Sequence, residues 1–260
     1  DVYKRQLPAG HATITQAAMA DPIATALHAY RLGAAAIGSG PVAILGAGSI
    51  GLSLLFVLKR FGVKDVTVTD LSAERRAFAD AGGADRTAEA IEGSFDVVFD
   101  SVGAVATRRD AALKVRPGGV AVLVGLHSAD LAFPTGPLIG GERTVKGSFG
   151  YTPDEFREAV AMLPDLDTRW VHAVPFAQAD ELVAERHRRL GLGPLVAHHA
   201  HVGAADARLQ DADHDFPASG TRRGNLQLTD RRVAHVDQCF HACLQKRGQA
   251  AGADGLRAAR

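Results

Sequence analysis

Cysteine is almost missing from this chain: of 260 residues only Cys239 and Cys243 carry a thiol, both near the carboxyl end. The scarcity excludes a disulfide framework and thiol chemistry from everything that precedes them. Charge of one sign is missing as well, with 29 lysines and arginines set against 29 aspartates and glutamates. No overall field would draw in nucleic acid or an anionic membrane. No apolar run reaches the length of a membrane span, and the opening DVYKRQLPAG lacks the apolar centre of a signal peptide. The expected location is therefore the cytoplasm, without a membrane or nucleic-acid partner. What is plentiful is apolar surface: a 47 % hydrophobic content is enough for a real core in one large or two ordinary domains.

The run PVAILGAGSIGLSLLFVLKRFG carries the most specific signal. Gly46, Gly48 and Gly51 follow an apolar strand and open an apolar helix, and the next strand, DVTVTD, closes on Asp70. Each glycine answers a steric demand: Gly46 for the tight turn, Gly48 for close approach of a pyrophosphate, Gly51 for packing of helix on strand. The helix beginning near Ser49 and Ile50 would point its free N–H groups and the positive end of its dipole at that pyrophosphate. A P-loop is excluded because no Gly-Lys-Ser/Thr follows. Asp70 can accept hydrogen bonds from both hydroxyls of an adenosine ribose and would repel a 2′-phosphate, which favours NAD over NADP. Arg75 and Arg76 lie one turn into a helix that Ser72 is expected to cap.

From Pro41 onward the periodicity predicts strand 42–46, helix 49–61, strand 65–70, helix 72–81, strand 95–100, helix 104–114, strand 118–125 and strand 143–149. This alternation implies an α/β fold, a doubly wound Rossmann parallel sheet with helices on both faces. Its ligand crevice would lie at the carboxyl ends of the strands, among the glycine turn, Asp70-Leu71, Ser101-Val102-Gly103 and Gly125-Leu126-His127. Upstream, ITQAAMADPIATALHAYRLG reads as two helices meeting at Asp21, because Pro22 is tolerated only near a helix start. A further helix follows Thr152, with Pro153 in its first turn. After about Ala179 the pattern fails: seven of the eleven histidines and eleven arginines appear there, beside one lysine and the aromatics Phe216 and Phe240. Residues 185–260 are expected to be disordered or frameshifted, since so little apolar surface does not offset the entropy of ordering the chain.

Residues 12–178 resemble the cofactor-binding half of zinc-type medium-chain alcohol and polyol dehydrogenases, the group that includes sorbitol and threonine dehydrogenases. The blocks that carry the likeness are AAMADPIATALHAYR, GAGSIGLSLLFVLKRFG, DSVGA with LKVRPGGVAVLVGL, and TVKGSFGYTPDEF, in order and correctly spaced. The resemblance implies NAD(P)-linked oxidation of a secondary alcohol or polyol, with Asp70 selecting NAD, a catalytic zinc in the intact parent, and a homo-oligomer. It implies a nicotinamide held near Gly125, Leu126 and Ser148. It also implies Asp21 as one zinc ligand, whereas the spacing alone reads equally well as a helix cap before Pro22. The other two ligands would belong to an amino-terminal catalytic domain, so residues 7–36 read as a helical lead-in from it. Residues 37–150 then form the NAD-binding domain, and 151–184 a helix and return segment. The opening DVYKRQ, residues 1–6, resembles translated sequencing-adapter sequence and is expected to be a non-native leader.

His28 and His127 are candidate proton carriers with no partner visible in the sequence, and both fit ordinary packing or solvation. His198, His199 and His201 with Cys239 and Cys243 lack the paired spacing of a metal site. Two other readings stay open: a zinc-free quinone or enone reductase of the same superfamily, and a non-catalytic NAD-sensing module.

Overall fold

The computed structural model describes residue 7, residues 9–128 and 134–173, and residue 178. Residues 1–170 form one compact unit; of the second, 171–260, only residues 171–173 and 178 are described. The expectations for 1–6 and for the segment 185–260, with its histidines and cysteines, fall outside the described residues.

Two helices open the unit, α1 (Ile14–Ala18) and α2 (Ala20–Ala34). Thr13 caps α1 through a reciprocal box with Gln16, and the helices meet at Met19 rather than at Asp21. Then come β1 (Val42–Leu45), α3 (Ser49–Arg60), β2 (Val66–Thr69), α4 (Ala73–Ala81), β3 (Arg86–Ala88), β4 (Phe95–Asp100), α5 (Val105–Lys114) and β5 (Val115–Leu123). The series closes with α6 (Thr135–Gly140), β6 (Thr144–Gly147) and α7 (Pro153–Met162), followed by a 3-10 turn, Leu163–Asp165.

The six strands form one sheet in the order β3-β2-β1-β4-β5-β6, and every pairing is parallel. The chain winds outward from β1 to β3, then crosses to β4 on the other side, so the switch point lies between β1 and β4. β1, β2 and β4 are buried along their whole length, as strands covered on both faces must be. One face carries Ala43, Leu45, Phe95 and Val98 against Ala111 of α5. On the other, α2 approaches so closely that a Cβ on Gly33 would lie 3.0 Å from Val97 and 3.1 Å from Phe99.

The amino ends of the strands are pinned by Asp96, which accepts the N–H groups of Gly38 (2.9 Å) and Gly40 (3.0 Å) and pairs with Arg116. Burial pushes this carboxyl up, but Arg116 and the two amides prevail and hold it below the usual range. Two elements escape the sequence pattern. β3 is a three-residue edge strand without apolar alternation, and α6 contains Gly136, Pro137 and Gly140. β5 also begins three residues earlier than predicted, carrying Pro117-Gly118-Gly119 through a register shift against β4.

Candidate functional site

At the carboxyl end of β1 the chain turns at Gly46, whose φ of 93° suits glycine and whose N–H donates to Thr69 O at 2.7 Å. A Cβ on Gly51 would sit 1.9 Å from Gly46 O, so α3 packs on the turn only because that atom is missing. Gly48 is different. Its φ of −81° is open to any residue, and a Cβ there would meet nothing within 4 Å. Neither conformation nor protein packing asks for glycine at this position; a ligand passing over it would. Gly48 is also the N-cap of α3 and supplies no side chain to the helix's first N–H groups, beyond which Ser49 and Ile50 begin the helix.

Asp70 lies beside this turn with its side chain 9 % exposed. Oδ2 accepts from Ala47 N–H at 2.9 Å and Oδ1 from Ser72 N–H at 2.9 Å, while Arg75 stands 3.7 Å from Oδ2. A carboxylate offers about four acceptor positions, so two remain for ribose hydroxyls after these amides. Asp70 therefore shapes the glycine turn as well as facing the expected ribose. Arg76 is turned away, donating to the carbonyls of Asp70 (2.6 Å) and Leu71 (3.1 Å).

Across the switch point, Ser101 Oγ donates to Leu45 O at 2.8 Å and lies 3.2 Å from Gly46 O, so its hydroxyl braces the glycine turn. Gly103 (φ 78°) and Gly125 are pressed together: a Cβ on Gly103 would lie 2.1 Å from Gly125 O, and one on Gly125 would lie 2.1 Å from Val102 C. Asp100, fully buried, joins the two loops. Its Oδ1 accepts from Val102 N–H and Gly103 N–H at 3.0 Å each, and its carbonyl accepts from Val124 and Gly125 at 2.9 Å each. Burial pushes its carboxyl up, opposed by the two loop amides, Thr107 and the charge of Arg108. Arg108 Nη2 donates to Gly125 O at 3.1 Å.

Leu71, Val102, Leu126 and Phe149 are exposed at this same edge, 36 % or more each, although the strands beneath them are buried. An apolar rim around a polar turn is what a flat, partly apolar ligand covers. Ser148 is buried, its N–H donating to Leu123 O at 2.8 Å.

Asp21 is not the helix cap that its spacing suggested. It sits inside the first turn of α2, and its Oδ1 accepts a hydrogen bond from Tyr151 Oη at 2.6 Å. Burial and the neighbouring carboxylate push the Tyr151 hydroxyl far up, so it stays a donor. Among the described residues no group of three His, Cys, Asp or Glu side chains could hold a metal. These residues do not fit a zinc centre, and Asp21 would be at most one ligand of such a site. His28 does have a partner, invisible in the sequence because it is 127 residues away: Nδ1 lies 3.1 Å from Glu155 Oε2, across the contact of α2 with α7. His127 is exposed.

Strand order, switch point and glycine turn define the unit as a doubly wound Rossmann domain. Comparison with known proteins narrows this. Residues 49–165 match the family model for zinc-binding dehydrogenase, and this segment is of that family. The chain is 31% identical to human sorbitol dehydrogenase over 199 residues, 69% of this chain and 55% of that protein. It is 28% identical to the D-xylulose reductase of Scheffersomyces stipitis over 193 residues, 68% of this chain and 52% of that protein. Among solved structures, L-idonate 5-dehydrogenase from Escherichia coli superposes with a TM-score of 0.56 at 30% identity, covering 61% of this chain and 48% of that one. The chain thus spans about half the length of the curated relatives it matches. No helix among the described residues is long and apolar enough to cross a membrane.

Proposed function

We propose that this chain is the cofactor-binding part of a zinc-dependent, NAD-linked dehydrogenase that oxidises a secondary alcohol or polyol by hydride transfer. The observation that carries the reading is Gly48, a glycine with no demand on it from the protein, at the amino end of α3, where it offers no side-chain cap, and at the switch point of the sheet. The likeness to sorbitol dehydrogenase and D-xylulose reductase supports the substrate class.

When bound, the nicotinamide ring supplies the carbon that accepts the hydride. The residues of this chain bind and orient it. The first N–H groups of α3 and the helix dipole would take the pyrophosphate, with Gly46, Gly48, Ser49, Ile50 and Gly51 forming the cradle. Asp70 would accept the adenosine ribose hydroxyls. Ser101, Val102, Gly103, Gly125, Leu126 and Ser148 line the side of the switch point assigned to the nicotinamide half, and Val102 and Leu126 offer it an apolar wall. The described residues do not assemble a zinc site. The intact protein self-associates and lies in the cytoplasm, which light scattering and cell fractionation would test.

The purified chain is expected to bind NADH in preference to NADPH in a fluorescence titration, and to oxidise neither sorbitol nor xylitol. Failure to bind NADH would overturn the nucleotide reading, and turnover of either polyol would overturn the statement that these residues hold no complete zinc site.

A further inference from the structure

All six residues of β4 are buried, among them the carboxylate of Asp96, paired with Arg116, and that of Asp100, which has no exposed surface. A buried carboxylate is costly unless its oxygens are hydrogen-bonded, and an apolar side chain would serve the core better. Oδ2 of Asp100 is buried without a hydrogen-bond partner among the described residues, so the partners of Oδ1 and of the main-chain carbonyl must explain the choice. Oδ1 takes the amides of Val102 and Gly103 from the loop after β4, and the main-chain carbonyl takes those of Val124 and Gly125 from the end of β5. These two loops also meet directly, Ser128 N–H donating to Gly103 O at 2.9 Å, and Arg108 closes the group on Gly125 O. The next residue, Ser101, ties the same strand end to the glycine turn through Leu45 O and Gly46 O. The dipeptide Asp100-Ser101 thus joins three loops of the ligand edge, the glycine turn and the loops after β4 and β5.

We propose that Asp100 is a positioning residue for the nicotinamide half of the dinucleotide, holding the loops after β4 and β5 in one arrangement through its amide hydrogen bonds. The inference rests on the dinucleotide reading above. It makes a distinction between ligands. A dinucleotide bound across the switch point reaches the loops after β4 and β5 with its nicotinamide half, whereas AMP occupies only the β1–β2 side. Asp100 acts on the first and leaves the second alone.

NADH is titrated by fluorescence and AMP by calorimetry against the unsubstituted chain, Asp100→Ala and Asp100→Asn. Removing the side-chain acceptor strands two loop amides, so Asp100→Ala is expected to weaken NADH by about tenfold or more. Its AMP affinity is expected to be retained. Asp100→Asn, whose amide oxygen can still accept from Val102 and Gly103, is expected to restore most of the NADH affinity. Unchanged NADH binding by Asp100→Ala, equal loss of NADH and AMP, or an Asp100→Asn protein as weak as Asp100→Ala would each overturn the assignment. If Asp100→Ala does not fold, amide hydrogen exchange in the unsubstituted chain decides. Protection at Val102, Gly103, Val124 and Gly125 should rise with NADH and not with AMP, and the same response to both would overturn it. Absence of NADH binding by the unsubstituted chain is a separate failure, that of the nucleotide reading itself.

Discussion

Replacing Gly48 by alanine separates what the fold needs from what a ligand needs. The backbone there, φ −81° and ψ −168°, accepts alanine, and the added Cβ meets nothing within 4 Å. Two small effects act on stability. Alanine is a poorer N-cap than glycine, by up to about 1 kcal/mol. It also restricts the unfolded chain, which returns about 0.4–1 kcal/mol. The sum is near zero, and since 1 kcal/mol moves the melting temperature of a domain this size by about 2–4 °C, the transition should barely shift. The affinity should not be spared. A methyl group placed where a pyrophosphate must approach the backbone is an overpacked contact, costing about 1–3 kcal/mol. At 1.4 kcal/mol per tenfold, that is a loss of roughly 5- to 150-fold in NADH affinity. Fluorescence titration paired with a thermal melt reads both quantities. Gly51→Ala is the control: its Cβ would lie 1.9 Å from Gly46 O, so melting temperature and binding should fall together. A Gly48→Ala protein that melts normally and binds NADH as tightly as before would refute the placement of the pyrophosphate.

Asp70→Ser should weaken NADH by roughly ten- to hundredfold, at about 1.5–3 kcal/mol for each lost bond to a charged group before solvent competes. NADPH should hold level or improve as the repulsion of a 2′-phosphate goes; because the carboxylate also holds Ala47 N–H, equal weakening for both cofactors would reassign Asp70 to the turn alone. Asp96 and Glu155 are both held below the usual carboxylate range, Asp96 by Arg116 and the Gly38 and Gly40 amides, Glu155 by Thr152 and His28, in each case against burial. Their stabilisation is full above the unfolded carboxylate value of about 4 and is lost as pH falls through the lower folded values. Denaturant unfolding followed from pH 7 to pH 2 should therefore show stability falling in that acid window, with a smaller fall in Asp96→Asn; an identical fall in the two proteins would remove Asp96 from the account.

The sequence was a good guide where one chemical demand acts on neighbouring residues. β1 was legible as an unbroken apolar run, β2 and β4 by their β-branched and aromatic residues, and the glycine turn because its three steric demands fall within six residues. β3 was not legible, since Arg86-Thr87-Ala88 pairs with one neighbour at the sheet edge and needs no apolar alternation. The start of β5 was hidden by Pro117, Gly118 and Gly119, which normally end a strand and here accompany a register shift. In the site, Asp70 announced itself by its distance from the glycines. Asp100 did not, because its partners are backbone amides, which every residue type has. The Tyr151 hydroxyl on Asp21 and the Glu155 carboxylate beside His28 come from more than a hundred residues away, a distance at which local pattern carries no information.

The direct passage from α5 into β5, Lys114 to Val115 with no residue between, bears on how this scaffold tolerates remodelling. An insertion there has no slack to absorb it, and it would disturb Val115 opposite Phe95 and Arg116 on Asp96 at once. The other end of β5 is no freer, because Val124 and Gly125 donate to Asp100 O and Ser128 donates to Gly103 O. β5 is thus held in length at both ends, by its neighbour strand at one and by the ligand edge at the other.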